Sequence, residues 1–148
     1  MSIVFQPEYG YVLVSASSIA MHCFAQGMIA GGIRSKLNIE YPDCGNGRLS
    51  KDLSDAQWNK FQCAQRAHNN YLEALPMILV NLLIAGINFP YYSVCAAAGV
   101  LVGRQLYCTG YRNNGPSGRI VGARIGGLSG ISLFFVAIAS GLKVAQVW

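Results

Sequence analysis

The chain has 148 residues and a formal net charge of +5; only 11% of its residues are charged, while 53% are hydrophobic. Soluble globular domains carry about 25% charged residues. The low charge excludes an ordinary soluble domain and indicates a protein whose main solvent is lipid. No nucleic-acid partner is expected, because the basic residues lie beside apolar stretches and form no stripe interleaved with aromatic residues.

Four apolar stretches follow one another along the chain. About 20 apolar residues in a helix cross the hydrocarbon core of a bilayer. The predicted spans are about 11–33, 71–88, 91–111 and 121–145, with a polar cytosolic loop at about 34–60. The sequence therefore predicts an all-α, integral membrane four-helix bundle made of one domain, 1–148. A soluble bundle is disfavoured because its helices would each need a charged face.

Basic residues concentrate at two of the connections between spans. The loop 34–60 holds five basic residues, and Arg112, Arg119 and Arg124 follow the third span, the last of them at the start of the fourth; the N-terminus and the connection 88–90 hold none. The positive-inside rule places both basic connections in the cytosol and both termini on the other side of the membrane.

The boundaries of the second helix carry local signals. Ser54 and Gln57 form the pattern of a capping box, so a helix is expected to begin at Asp55 and to continue to about Ile87. Such a helix is about 50 Å long, so its first third should project into the cytosol. The tripeptide 88–90 predicts a tight turn into the third helix.

Glycine recurs at intervals of four residues, which lets transmembrane helices approach closely. The glycines in this pattern are Gly27, Gly31, Gly99, Gly103, Gly118, Gly122, Gly126 and Gly130. The spacing predicts close helix packing, either within one chain or between chains.

Polar side chains share one face on each of two helices, at spacings that align on a helix surface. They are Arg66, Asn70 and Glu73 on the second helix and Arg104, Tyr107 and Tyr111 on the third. Two interpretations are open. Arg66 could pair with Glu73, or Glu73 with Arg104, to join helices. Alternatively, these groups form a cytosol-facing pocket for a small zwitterion, since guanidinium groups bind carboxylates well.

Other polar residues are interpreted as structural. His22 and Gln26 are expected to be hydrogen-bonded within the bundle. The five cysteines are scattered, without C-x-x-C spacing, so neither a metal site nor a disulfide framework is predicted.

Two segments resemble signatures of the MAPEG family, the membrane-associated proteins in eicosanoid and glutathione metabolism. The run 66–73 followed by Pro76 is similar to its R-A-x-x-N-x-x-E…P pattern, and 103–111 resembles its R-x-x-Y-x-x-G-Y pattern. The stretches 8–12 and 39–42 resemble the type-three microsomal glutathione S-transferases in particular. The similarity covers nearly the whole chain.

The resemblance implies a homotrimer that binds glutathione between subunits near the cytosolic face. The positions matching glutathione-binding residues are Arg34, Arg66, Asn70, Glu73, Arg104, Tyr107 and Tyr111, of which Arg34 would serve the adjacent subunit. Arg119 and Tyr107 match the catalytic positions. Arg119 does so only after a shift of one residue, since Gly118 takes the ungapped position.

The resemblance also implies an activity, glutathione transferase with glutathione peroxidase activity, and a location, the endoplasmic reticulum or the outer mitochondrial membrane. The expected partners are glutathione, a lipophilic electrophile or lipid hydroperoxide, and membrane lipid, with no metal. A non-catalytic scaffold that presents lipid to a partner enzyme is the alternative. A channel subunit is disfavoured because the charges gather at the cytosolic ends of the helices.

Overall fold

Four long helices make up the computed structural model, which describes residues 6–147. They are α1 (Tyr9–Lys36), α2 (Asp55–Asn88), α3 (Pro90–Gly118) and α4 (Ile120–Val144), with a short 3-10 turn at Arg48–Ser50. No strand occurs between residues 6 and 147. The two chain ends lie outside the described residues, so the side of the membrane on which they lie and a single domain over 1–148 stay predictions.

The start of α2 confirms the predicted capping box. The Ser54 hydroxyl accepts a hydrogen bond from the Gln57 backbone N–H, and the Gln57 side chain accepts one from the Ser54 N–H. Because α2 begins at Asp55 and α1 continues to Lys36, the connecting segment is 37–54, shorter than the predicted loop 34–60. Phe89 alone separates α2 from α3, which agrees with the predicted tight turn.

Three of the four helices, α1, α2 and α4, are long and apolar enough to cross a membrane. Much of their apolar surface is exposed in the single chain, including Phe24 of α1, Val80 of α2 and Phe135 of α4. Helix α3 is less apolar because Arg104 and Gln105 interrupt its middle. Its crossing of the bilayer therefore stays a prediction.

Helices α3 and α4 pack with their backbones in contact, as the glycine spacing predicted. A Cβ atom on Gly103 would meet the backbone of Gly126, and one on Gly122 would meet the backbone of Tyr107. Other glycines of the pattern do not pack this way, since nothing lies within 4 Å of a Cβ built on Gly31 or Gly130. Part of the pattern is thus explained within one chain.

The segment 37–54 is organised around the buried carboxylate of Asp43. Its oxygens accept hydrogen bonds from the backbone N–H groups of Gly45 at 2.7 Å, of Gly47 at 2.9 Å and of Leu49 at 2.9 Å, and from the Ser50 hydroxyl. Burial raises the pKa of Asp43, but these hydrogen bonds together outweigh burial and hold that pKa below its ordinary value.

Replacing Asp43 with Asn is expected to loosen this segment, because an amide offers one acceptor oxygen where the carboxylate offers two. Limited proteolysis at neutral pH should cleave 37–54 faster in Asp43→Asn than in the wild type. The exposed Asp52 supplies the control, Asp52→Asn, which should leave the rate unchanged. Since the folded-state pKa is lowered, the stabilisation is present above about pH 4 and is lost as pH falls through the folded pKa. Equal cleavage of all three proteins would contradict this role.

Candidate functional site

A cavity of about 530 Å³ opens among α2, α3 and the first turns of α4. Its lining residues are Asn70, Arg104, Tyr107, Arg119, Ile120, Gly122, Ala123, Arg124, Gly126 and Gly127. Three of these are arginines, and none is an acid. Of the lining glycines of α4, Gly122 and Gly126 face the backbone of α3, and Gly127 has open space where a side chain would lie. A cavity with this lining favours an anionic ligand.

Arg104 is held in the cavity wall by neutral partners. Its Nη1 donates a hydrogen bond to the Asn70 Oδ1 at 2.9 Å. The guanidinium carbon lies 5.0 Å from the centroid of the Tyr71 ring and 5.8 Å from that of Tyr107, within the range of cation–π attraction. Its positive charge is therefore fixed in place without being neutralised.

Arg119 lies beside two tyrosines of α3 whose rings are in contact and tilted by 53°. The ring centroids of Tyr107 and Tyr111 are 5.8 Å apart, and the Arg119 guanidinium lies 5.4 Å from the Tyr111 ring. A hydrogen bond with the Tyr107 side chain is the main reason that the pKa of Arg119 lies above its ordinary value. Arg119 is therefore a permanent cation next to a phenol hydroxyl.

The end of α3 explains why Arg119, and not Gly118, faces the cavity. At Gly115 the backbone leaves the helical region, with φ of 67° and ψ of −159°, and φ in this range favours glycine. The chain then turns so tightly that a Cβ atom on Gly118 would meet the Gly110 carbonyl. Position 118 therefore has no room for a side chain, and position 119 reaches Tyr107. Arg119 is thus the residue that reaches the cavity, and its match to the catalytic position of the family stays a prediction.

Arg66 and Glu73 form an ion pair, one of the pairings that the first interpretation named, but both residues belong to α2, so the pair joins no two helices. The Arg66 Nη1 and the Glu73 Oε1 are 3.4 Å apart, with side chains 59% and 58% exposed. Neither residue lines the cavity, although Asn70 between them does. So exposed a pair contributes about 0–1 kcal/mol, and a ligand can compete for either partner.

The second expected pairing, Glu73 with Arg104, is not observed. Over residues 6–147 the pair Arg66–Glu73 is the one side-chain ion pair. Arg104, Arg119 and Arg124 therefore keep uncompensated positive charge around the cavity. Also within 6–147, no three side chains of His, Cys, Asp or Glu lie together as metal ligands would.

Arg34 lies at a different place from the cavity residues. Its side chain is buried, and its Nη1 donates to the carbonyls of Ile39 at 3.3 Å and Glu40 at 3.4 Å. The guanidinium is 4.3 Å from the Tyr41 ring centroid and 5.2 Å from that of Phe61. Within one chain, Arg34 thus anchors the segment that follows α1, and its service to an adjacent subunit stays a prediction.

Sequence reasoning missed Arg124 as a cavity residue. The sequence assigns it only to the basic residues that indicate the cytosolic side. A signal is present, because Arg124 lies in the first two turns of α4, five residues after Arg119 and directly before the uncharged part of the helix. His22 and Gln26 are hydrogen-bonded within the bundle, as expected.

The apolar helices and the cationic cavity define a membrane-associated α-helical protein that is suited to an anionic ligand. A family model described as "MAPEG family" matches residues 12–139. The chain belongs to the MAPEG family. Members of this family are membrane proteins that use glutathione and lipid substrates. They include glutathione transferases and peroxidases as well as non-catalytic proteins.

Proposed function

We propose that this protein is a membrane-bound glutathione transferase that also acts as a glutathione peroxidase. The observation that carries the proposal is the acid-free cavity with Arg104, Arg119 and Arg124 in its lining and the buried Tyr107 beside them. A non-catalytic lipid-presenting member needs no such concentration of guanidinium groups next to a phenol. Within the family, the type-three microsomal glutathione S-transferases are the branch that we propose.

The charges of glutathione fit the distribution of polar groups. The tripeptide carries two carboxylates, one ammonium group and two amides. In the proposal, Arg104 and Arg124 bind carboxylate oxygens and the Asn70 side chain contacts an amide. Glu73 receives the ammonium group after its weak pairing with Arg66 is exchanged, and Arg66 is then free for the adjoining carboxylate. Net positive charge in the cavity also favours the anionic form of the thiol.

The chemical step begins with the glutathione thiol. Only the thiolate attacks well, and a free thiol has a pKa near ~8.5. Arg119 stabilises the thiolate electrostatically, and Tyr107 donates a hydrogen bond to the sulfur, while Tyr111, which does not line the cavity, packs against both of these side chains. The thiol proton leaves to water. In the transferase reaction, the sulfur bonds to carbon of the electrophile, and the electron pair of the broken bond leaves with the leaving group or is protonated.

Peroxidase chemistry uses the same sulfur. The thiolate attacks the terminal oxygen of a lipid hydroperoxide, the O–O bond breaks, and the lipid alcohol leaves with a proton. A second glutathione then attacks the resulting sulfenic acid, giving glutathione disulfide and water. Two thiols are oxidised and one hydroperoxide is reduced, so no metal is needed.

The setting of the reaction is also part of the proposal. The lipophilic electrophile or hydroperoxide reaches the cavity through the bilayer, and glutathione enters from the cytosol. We propose a homotrimer in the endoplasmic reticulum membrane, with both termini on the non-cytosolic side. Arg34 would contribute to a neighbouring site only if the segment 37–54 releases it.

The test is to measure glutathione binding and turnover by the purified full-length protein in detergent or nanodiscs. We expect saturable glutathione binding, conjugation of a chromogenic electrophile and reduction of a fatty-acid hydroperoxide. The variant Arg104→Leu should weaken glutathione binding about tenfold or more, because it removes a fixed charge-assisted contact. Arg48→Leu, which alters an exposed arginine of the 37–54 segment, is the matched control. Lipid binding with no turnover would instead support the non-catalytic alternative.

A further inference from the structure

A hydrogen-bonded cluster of polar side chains joins α1, α2 and α3 behind the cavity. The Arg112 guanidinium donates to Gln26 Oε1, and Gln26 Nε2 donates to Gln105 Oε1 at 3.1 Å. His22 lies between Gln105, with its Nε2 at 2.9 Å from Oε1, and the Tyr71 hydroxyl, with its Nδ1 at 3.1 Å from the oxygen. None of these residues belongs to the lining of the cavity.

His22 lies among donors and acceptors that suit both tautomers of its neutral ring, since its Nε2 is 2.9 Å from Gln105 Oε1, an acceptor, and 3.3 Å from Gln26 Nε2, a donor. With the proton on Nε2, the ring donates to Gln105 and its Nδ1 can accept from the Tyr71 hydroxyl. With the proton on Nδ1, the ring donates to that hydroxyl, which in turn donates to the Ile19 carbonyl at 3.3 Å. In both tautomers, groups of α1 hold the hydroxyl end of Tyr71 in place.

The tethered ring of Tyr71 supports a residue of the cavity. Tyr71 is fully buried, and the Arg104 guanidinium lies over its face at 5.0 Å from the centroid. Arg104 makes one hydrogen bond, to Asn70, and has no carboxylate partner between residues 6 and 147. The position of its charge in the cavity therefore depends on the aromatic faces beneath it and on that amide.

We propose that Tyr71, tethered at its hydroxyl by His22, is a positioning residue that sets Arg104 for binding the carboxylates of the ligand. The inference rests on the proposed function and adds two residues to the site that do not line it. Tyr71 and His22 act on substrate affinity through Arg104 and take no part in the chemistry at sulfur. Their loss should therefore affect glutathione binding much more than turnover at saturation.

The experiment compares Tyr71→Phe, which keeps the ring and loses the tether, with Tyr71→Leu, which loses both. We expect KM for glutathione to rise about two- to threefold in Tyr71→Phe and about tenfold in Tyr71→Leu, as loss of a desolvated cation–π contact implies. The value of kcat should fall less than about twofold in both. His22→Leu, which removes the tether from the other side, should match Tyr71→Phe.

A second measurement, made in the absence of glutathione, tests whether Tyr71 holds the Arg104 side chain in place. Arginine modification by phenylglyoxal, followed by mass spectrometry, should be faster at Arg104 in Tyr71→Leu than in the wild type. The rate at the exposed Arg48 should not change. A purely structural role predicts that kcat falls together with thermal stability and that Arg104 keeps its reactivity. That result, or an unchanged KM in Tyr71→Leu, overturns the inference.

The two proposals fail in different ways. If the wild type binds no glutathione, the proposed function is wrong, while the modification rates still test whether Tyr71 positions Arg104. If the wild type binds glutathione and the Tyr71 variants bind it equally well, the positioning role is wrong and the function stands. Should Tyr71→Leu fail to fold, His22→Leu and Tyr71→Phe give both measurements in proteins with smaller changes.

Discussion

Replacing Arg119 with Ala is expected to remove most of the glutathione thiolate at neutral pH while leaving glutathione bound. A cation beside sulfur that lowers the thiol pKa from ~8.5 by one to two units raises the thiolate fraction at pH 7 about 8-fold to 25-fold. Without it, the pKa of the bound thiol should return towards ~8.5. The ultraviolet absorbance of the thiolate in the complex should then fall by about the same factor, and kcat with it.

The dependence of activity on pH shows in which direction Arg119 shifts the pKa of the bound thiol. In the wild type, activity should rise with pH around the lowered thiol pKa and level off above it. In Arg119→Ala the same rise should occur one to two units higher, so that alkaline pH partly restores activity. The control is Arg124→Ala, which removes another cation of the cavity lining. If Arg119→Ala keeps its thiolate absorbance and Arg124→Ala loses it, the catalytic role belongs to Arg124.

Replacing Gly122 with Ala is expected to disrupt the packing of α3 on α4. The added Cβ would lie 2.6 Å from the Gly103 carbonyl oxygen and against the backbone of Tyr107, and backbone atoms cannot move aside as side chains can. Overpacking of this kind costs about 1–3 kcal/mol or more. Thermal unfolding in detergent should occur several degrees lower, and glutathione binding should weaken because Tyr107 shifts.

A second glycine of the same cavity wall supplies the matched control. Gly127 also lines the cavity, but nothing lies within 4 Å of a Cβ built on it. Gly127→Ala should therefore keep or raise stability, since Ala is favoured over Gly in a helix by about 1 kcal/mol. Equal destabilisation by Gly122→Ala and Gly127→Ala would contradict the close approach of α3 and α4 as the cause.

Much of the architecture could be predicted from the sequence, because helix ends and tight turns are determined by residues within a few positions of one another. The capping box at Ser54 and Gln57 correctly predicted the start of α2, and the short connection 88–90 correctly predicted the turn between α2 and α3. The glycine spacing indicated a close helix contact, but which helices meet is a property of three-dimensional packing. The structure assigns it to α3 and α4 for Gly103 and Gly122.

The candidate site was only partly predictable. Helical periodicity put Arg104 and Tyr107 on one face, and the structure brings both to the cavity. Periodicity could not decide between the two interpretations of Arg66 and Glu73, because the side-chain rotamers determine which partner an exposed charge has. The structure shows that the two residues pair outside the cavity. Nor could periodicity show that Arg34 is buried against its own loop, which depends on a segment without a repeating pattern. The positioning role proposed for Tyr71 could not be predicted either, because the sequence does not distinguish it from an ordinary buried core tyrosine.

The length of α2 has a consequence for the membrane that surrounds it. Its 34 residues give about 51 Å, against about 30 Å of hydrocarbon. For a helix near the bilayer normal, about 20 residues counted back from Asn88 reach the lipid boundary near Asn69. A bilayer of about 27 Å moves this boundary to about residue 71, and one of about 33 Å moves it to about residue 67. Lipid thickness therefore sets how much of the face bearing Arg66, Asn70 and Glu73 is hydrated.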